Sequence, residues 1–233
     1  MRFLKQLVLV LVIGVLCLSG TLDGQAASKE EQRVLKEYRS FKFGLTVTQI
    51  AKIMYGTSYK QHLKQTNGAT VFKKKANWTQ NEQGYRSRGY SFYDQSKTLP
   101  RLMMFEFHTK KNQKTYFLVQ KTLQFAADTN SGLRESTRTL KHVTYIRGDE
   151  TETELDELLS GKGLGQVAMR WSWDFTSVQT KQERKEYKYR GQIKIYTFKS
   201  SNPKKQIEAT MKFDHASKQY KLNNYTILPI KTK

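Results

Sequence analysis

Two stretches 105 residues apart constrain this chain more than any other feature. Residues 44–56 read GLTVTQIAKIMYG and residues 149–161 read DETETELDELLSG. In each, a threonine (Thr46, Thr151) stands three positions ahead of Gln49 or Glu154, the spacing of a helix capping box. Ile50, Ile53 and Met54 fall on Leu155, Leu158 and Leu159, one apolar stripe at helical spacing, and Gly56 and Gly161 are placed to stop each helix. Leu45 and Ile50 can close a hydrophobic staple in the first copy, whereas Glu150 takes the staple position in the second. The same short helix is written twice, once near neutral and once acidic.

The strands downstream of each helix repeat as well. After a second short helix at residues 58–65 and the turn pair Asn67-Gly68, the period changes to two. Strands are expected at 71–78, 85–93, 101–108 and 115–125, and again at 166–175, 186–199, 206–213 and 219–228. Met103, Phe105 and Phe107 fall on Ala209, Met211 and Phe213 at an offset of 106, so spacing holds from the helix to the last hairpin. The expected fold class is α+β: two tandem repeats, each a short helical segment packed on a four-stranded antiparallel sheet. The first repeat, 27–125, includes an N-terminal helix over 28–42 with Val34, Leu35 and Tyr38 at helical spacing. A polar linker, 126–141, leads to the second repeat, 142–233.

Residues 1–26 have the layout of a secretory signal peptide: Arg2 and Lys5, the apolar run Leu7–Leu18, then Gly24 and Ala26 ahead of a cut before Ala27. The run falls short of the roughly 20 residues a spanning helix needs, so no stable transmembrane segment is expected after processing. The only cysteine, Cys17, lies inside it and follows Leu16, where a lipid-attachment signal carries a small residue. The mature chain then has no cysteine and must be held by its core, a usage typical of Gram-positive export. Loss of Arg2, Lys5 and Asp23 with the signal leaves 39 basic and 19 acidic residues, a net charge of +20. Outside the cell that charge favours anionic partners such as an envelope polymer or lipid head groups.

A capped helix reading T-x-x-[QE]-[IL]-x-x-[IL]-[ML]-x-G followed by four antiparallel strands, in tandem, resembles the β-lactamase-inhibitor-protein-like domains of secreted bacterial proteins. The resemblance covers roughly residues 33–230. It implies two α+β units whose sheets sit side by side and form a concave surface, which in the name-giving inhibitor grips an enzyme through aromatic side chains. This chain lacks that inhibitor's disulfides, has longer units, and has lost part of the second helical pair.

No constellation for catalysis stands out. His62, His108, His142 and His215 are scattered without zinc-ligand spacing, and no G-x-S-x-G elbow is present. SGKGLGQ at 160–166 lacks the Walker ending and follows a helix instead of opening one, so it reads as helix termination and a tight turn. The acids of 149–157 bunch at a helix start, where they favour the macrodipole; they form a solvated outer face or dock a basic partner. No cofactor and no metal are expected.

The surface remains. Trp78, Tyr90, Phe92, Leu102, Met104, Trp171, Trp173, Tyr187 and Tyr189 are the candidate partner-binding residues, expected on the helix-free face of the sheets among Lys and Arg. The alternative is that they fill the interface between the two sheets. The expectation is a secreted or cell-surface, non-enzymatic module that binds a protein, inhibitor-like. Two readings stand beside it: a binder of anionic envelope polymer or lipid, and an unrecognised hydrolase. Nucleic acid is disfavoured by export and by the lack of an RNA-binding signature.

Overall fold

The computed structural model describes residues 28–94, 99–126, 132–142 and 145–229; the expected signal peptide and residues 127–131 of the expected linker lie outside them. Helix α1 (Lys29–Ser40) starts at Ser28, whose hydroxyl accepts from the Glu31 N–H while Glu31 accepts from the Ser28 N–H. It buries Val34 and Tyr38. Helix α2 (Val47–Tyr55) is closed at its start by the Thr46/Gln49 box and at its end by Gly56 at φ 55°. Its inward stripe is Val47, Ile50 and Ala51, with Met54 alongside, so Ile53 is turned out and 38 % exposed.

The chain then departs from expectation. In place of a second α-helix there is a 3-10 turn (Gly56–His62), followed by a hairpin of β1 (Leu63–Thr66) and β2 (Ala69–Phe72). Asn67 and Gly68 between them both have positive φ, the arrangement of a type I′ turn. This small sheet packs with the helices, and Phe72 meets Tyr90 and Phe92 edge-on. The strand expected at 71–78 is therefore split.

The second sheet has eight antiparallel strands, each hydrogen-bonded to its neighbours in the chain. They are β3 (Trp78–Glu82), β4 (Tyr85–Asp94), β5 (Arg101–Thr109), β6 (Tyr116–Phe125), β7 (Met169–Asp174), β8 (Arg190–Lys199), β9 (Lys205–Asp214) and β10 (Gln219–Pro229). Strands β6 and β7, separated by 43 residues, pair directly from Gln120↔Trp173 to Gln124↔Met169. The two sets of four strands are thus one continuous sheet.

Between β6 and β7 the chain carries α3 (Glu152–Leu158), closed by the Thr151/Glu154 box. A six-residue α4 (Lys181–Glu186), with its own Thr180/Glu183 box, interrupts the run from β7 to β8. Thr46 bridges Phe117 on β6, and Thr151 bridges Lys221 on β10. Bulges leave Val119 extra in β6 and Asn223 extra in β10.

Alternation sorts the side chains. On β5, Met103, Phe105 and Phe107 face the helices and are buried, while Leu102, Met104, Glu106 and His108 face away and are half-buried. One buried cluster gathers α1, α2, β2 and β4–β6; a second gathers Leu140, Leu155, Leu159, Tyr196, Phe198, Ile207, Met211 and Leu222. Burial of a large apolar side chain contributes about 1.5–3 kcal/mol, so these clusters and not the exposed turns hold the chain together.

The end of the expected linker is docked. Ser136 and Leu140 donate to the carbonyls of Thr197 and Lys199. The Arg138 guanidinium donates to the carbonyls of Ser160 and Gly163. Gly161, Gly163 and Gly165, all at positive φ, shape that loop, so the glycine run cradles an internal guanidinium.

Candidate functional site

The face of the large sheet turned away from the helices carries a neutral, largely apolar patch. Register places Leu102, Gln124, Met169 and Ile195 in one row across β5, β6, β7 and β8. Met104, Thr122, Trp171 and Ile193 form the next. Trp171 and Trp173, two residues apart on β7, point to the same side with ring centroids 4.7 Å apart. Trp173 lies over Gly191 on β8, which has no side chain to keep the indole off the sheet. The aromatic chain continues into the segment between β7 and β8: Trp173 to Tyr189 at 6.3 Å, Phe175 to Tyr189 at 4.8 Å, and Tyr187 to Tyr189 at 5.5 Å. His108 of β5 meets Phe175 edge-on and contacts Glu106 at 2.6 Å.

Seven of the nine expected binding residues lie at this face or its border. Leu102, Met104, Trp171 and Trp173 are half-buried on the strands, and Trp78 is 40 % exposed on the edge strand β3, over Gly89. Tyr187 and Tyr189 precede β8 instead of lying within it, and are 64 % and 42 % exposed. Tyr90 and Phe92 are corrections. They pair with Phe105 and Met103, face the helices, and belong to the first core, Tyr90 at 2 % exposure. On β4 the outward residues are Ser87, Gly89, Ser91 and Tyr93. The expected interleaving with Lys and Arg is corrected as well. Among the described residues, the outward positions paired from β4 to β8 in these two rows hold no cation, and the lysine pair Lys212↔Lys221 lies on β9 and β10.

Sequence reading missed Met169, Ile193, Ile195, Tyr93 and Phe175. Met169 and Phe175 were legible as alternation around the two tryptophans, and Ile193 and Ile195 as alternation on the strand that pairs with them.

The acidic helix is engaged internally. Glu152 accepts from the buried Lys194 ammonium at 2.8 Å and from the Tyr196 hydroxyl. Glu150, 2 % exposed, is pushed up by burial but held below the ordinary range overall by the backbone N–H groups around it, those of Arg147 and Gly148 among them. Asp156 takes Arg138, and Glu154 takes Arg147 besides its capping role.

On the helical side, a cavity of about 280 Å³ opens between α1 and the β6–β8 junction, lined by Arg39, Lys42, Lys121 and Arg170 and, among the described residues, by no carboxylate. Lys121, 7 % exposed, donates to the carbonyls of Tyr38 and Phe41 at the end of α1, both at 2.8 Å. Burial, then repulsion from Lys42, pulls its ammonium down to about 8. Burial pushes the Tyr38 hydroxyl up to about 12, and it hydrogen-bonds the Ser172 hydroxyl at 3.1 Å.

Among the described residues, no group of three or more His, Cys, Asp or Glu is placed to hold a metal ion, and no helix is long and apolar enough to cross a membrane. No protein family, no curated protein and no solved structure matches this chain.

Proposed function

We propose that this chain is an exported, non-enzymatic binding protein that holds a protein partner on the helix-free face of its large sheet. The observation that carries the reading is the half-buried apolar patch Leu102, Met104, Met169, Trp171, Trp173, Ile193 and Ile195, which crosses the β6–β7 seam with no outward cation among the described residues of its rows until Lys212 on β9. A contiguous exposed apolar patch is costly for a monomer to keep unless something covers it, and tryptophans are among the most frequent binding hot spots.

The reading includes a tandem origin for that surface. Aligned on their cap bridges and bulges, the third and fourth strands of the two sets match at an offset of 104, in place of the 106 expected from sequence, with Leu118 on Leu222, Val119 on Asn223 and Phe107 on Met211. On the second strands the offset is 106, and Tyr90-Ser-Phe92 falls on Tyr196-Thr-Phe198, with both tyrosines buried. On this reading two inhibitor-like modules fused their sheets edge to edge, and the fused face is wider than either module could offer.

The test is capture from the producer's surface and culture fluid by the wild-type chain and by Trp171→Ala/Trp173→Ala, at low and high salt, with folding of both checked by circular dichroism. Capture that persists in salt and is lost in the folded double variant supports the reading; equal capture by both chains ends it. A second reading, an anionic envelope polymer, is favoured by the net charge and by the Arg39–Lys42–Lys121–Arg170 cavity. Its capture would instead vanish with added salt and with Arg39→Glu/Lys42→Glu.

A further inference from the structure

A cleft of about 370 Å³ opens where the tip of the β3–β4 hairpin meets the segment running from Phe175 through α4 to Tyr189. We propose that this cleft is a binding site for an organic cation, an ammonium or guanidinium group. Its walls are the rings of Tyr85, Phe175, Tyr187 and Tyr189, its acidic lining groups are the carboxylates of Glu82 and Glu183, and His108, whose Nε2 is already engaged by Glu106 at 2.6 Å, also lines it. Among the described residues no lysine or arginine lines it, so the cleft inverts the charge of the molecule around it.

Glu183 is the fixed part of the site. As the third residue of α4 it accepts from the Thr180 N–H at 2.5 Å, and its other oxygen accepts from the Tyr85 hydroxyl at 3.1 Å, so one carboxylate ties the two walls together. The Thr180 N–H holds its carboxyl below the ordinary range, and Lys111 adds to this from outside the lining. Gln179 also lines the cleft, and its amide N–H donates to the Tyr187 carbonyl at 3.0 Å, which ties the start of α4 to the residue that follows it.

Aromatic faces and carboxylates dominate the lining, and the imidazole of His108 is turned to Glu106. A cation satisfies rings and carboxylates alike, because ring faces attract positive charge and every polar atom of an ammonium or guanidinium is a donor. An anion would meet two carboxylates, and a neutral sugar would leave their charge uncompensated.

The test uses the full chain without any protein partner, so its result stands apart from the capture experiment. N-acetyl-lysine methylamide, N-acetyl-arginine methylamide and tetramethylammonium are titrated, with N-acetyl-glutamate methylamide and methyl glucoside as counter-probes. Intrinsic fluorescence and amide shifts near Phe175, Val178 and Tyr189 are followed. The expected result is saturable binding of at least one cation and of neither counter-probe, weakened about tenfold by Glu183→Gln and by Tyr189→Ala. Glutamine also closes a capping box, so Glu183→Gln removes charge while keeping α4. Stronger binding of the amino-acid derivatives assigns the site to a polypeptide side chain; stronger binding of tetramethylammonium assigns it to a free quaternary amine. Absence of saturable binding by all three cations, equal binding of either counter-probe, or unchanged affinity in Glu183→Gln overturns the proposal.

Discussion

Gly89 and Gly191 each lie beneath the indole of a tryptophan on the neighbouring strand, and a methyl group at either would fall under 3.0 Å from that ring. The neighbours decide how differently the two sites respond. Trp78 sits on the edge strand β3 and is 40 % exposed, so it can swing outward, and alanine's better strand propensity offsets much of the cost. Trp173 is hemmed in by Trp171 and Tyr189 on an interior strand. Gly89→Ala is expected to change stability by less than about 1 kcal/mol and Gly191→Ala to cost about 1–3 kcal/mol, read by urea unfolding. Lys121 gives a second residue-scale expectation, in pH. Its folded value of about 8 lies below the ordinary lysine value of 10.5, so between those pH values the unfolded chain binds more protons and stability rises with pH, by at most about 3 kcal/mol. Tyr38, raised from 10 to about 12, acts in the opposite sense: its contribution is complete below pH 10 and is lost as pH climbs toward 12. The difference between wild-type and Lys121→Met unfolding curves should therefore grow from pH 8 to 10.5; a flat difference excludes Lys121 as the source.

At the scale of elements, the caps were legible and the connections were not. Thr46 and Thr151 close the boxes their spacing announced, and each links its helix to a strand through a backbone bridge. Thr46→Ala and Thr151→Ala are each expected to cost about 1 kcal/mol, measured by thermal or urea unfolding, with Thr→Ser restoring most of it. The strands from β4 onward were found to within a few residues because alternation survives in their sequences. Tyr90 and Phe92 were placed on the wrong face because β4 was read alone; set beside Tyr196 and Phe198, the Tyr-x-Phe pattern marks the buried side. Helix α4 was also written in sequence as Thr180-Lys-Gln-Glu183, a capping box, but it has no apolar stripe to announce it, and only its last residue, Glu186, falls in the strand expected at 186–199. What no local pattern could give is the docking of Arg138 into the glycine loop, since that contact joins residues 22 and 25 positions apart. Arg138→Met leaves two carbonyls of that loop without their donor. It is expected to speed amide exchange across 160–165 with little change at β4 or β5.

For the whole molecule the question is whether two buried clusters mean two folding units. The first cluster is built by α1, α2, β2 and β4–β6 and the second by α3 and β8–β10, with no residue in common, which argues for independence. Against it stands the seam, where β6 and β7 pair over five residues, Tyr38 on α1 hydrogen-bonds Ser172 on β7, and Glu31 on α1 holds Arg134 ahead of the second cluster. Separating the halves would bare the long edges of β6 and β7 and uncover Lys121 and Tyr38 together, so a half-folded chain loses contacts on both faces of the sheet. The expected outcome is a single unfolding transition with equal calorimetric and van't Hoff enthalpies. Ser172→Pro tests the cause. Proline in an interior strand removes a ladder hydrogen bond and the register that depends on it. The variant also loses the hydroxyl that hydrogen-bonds Tyr38. With the seam broken, scanning calorimetry should resolve two transitions, one for each buried cluster. If the wild-type chain already unfolds in two steps, the seam is a contact between independent bodies, and a partner spanning the patch would have to supply the rigidity that the continuous sheet otherwise provides.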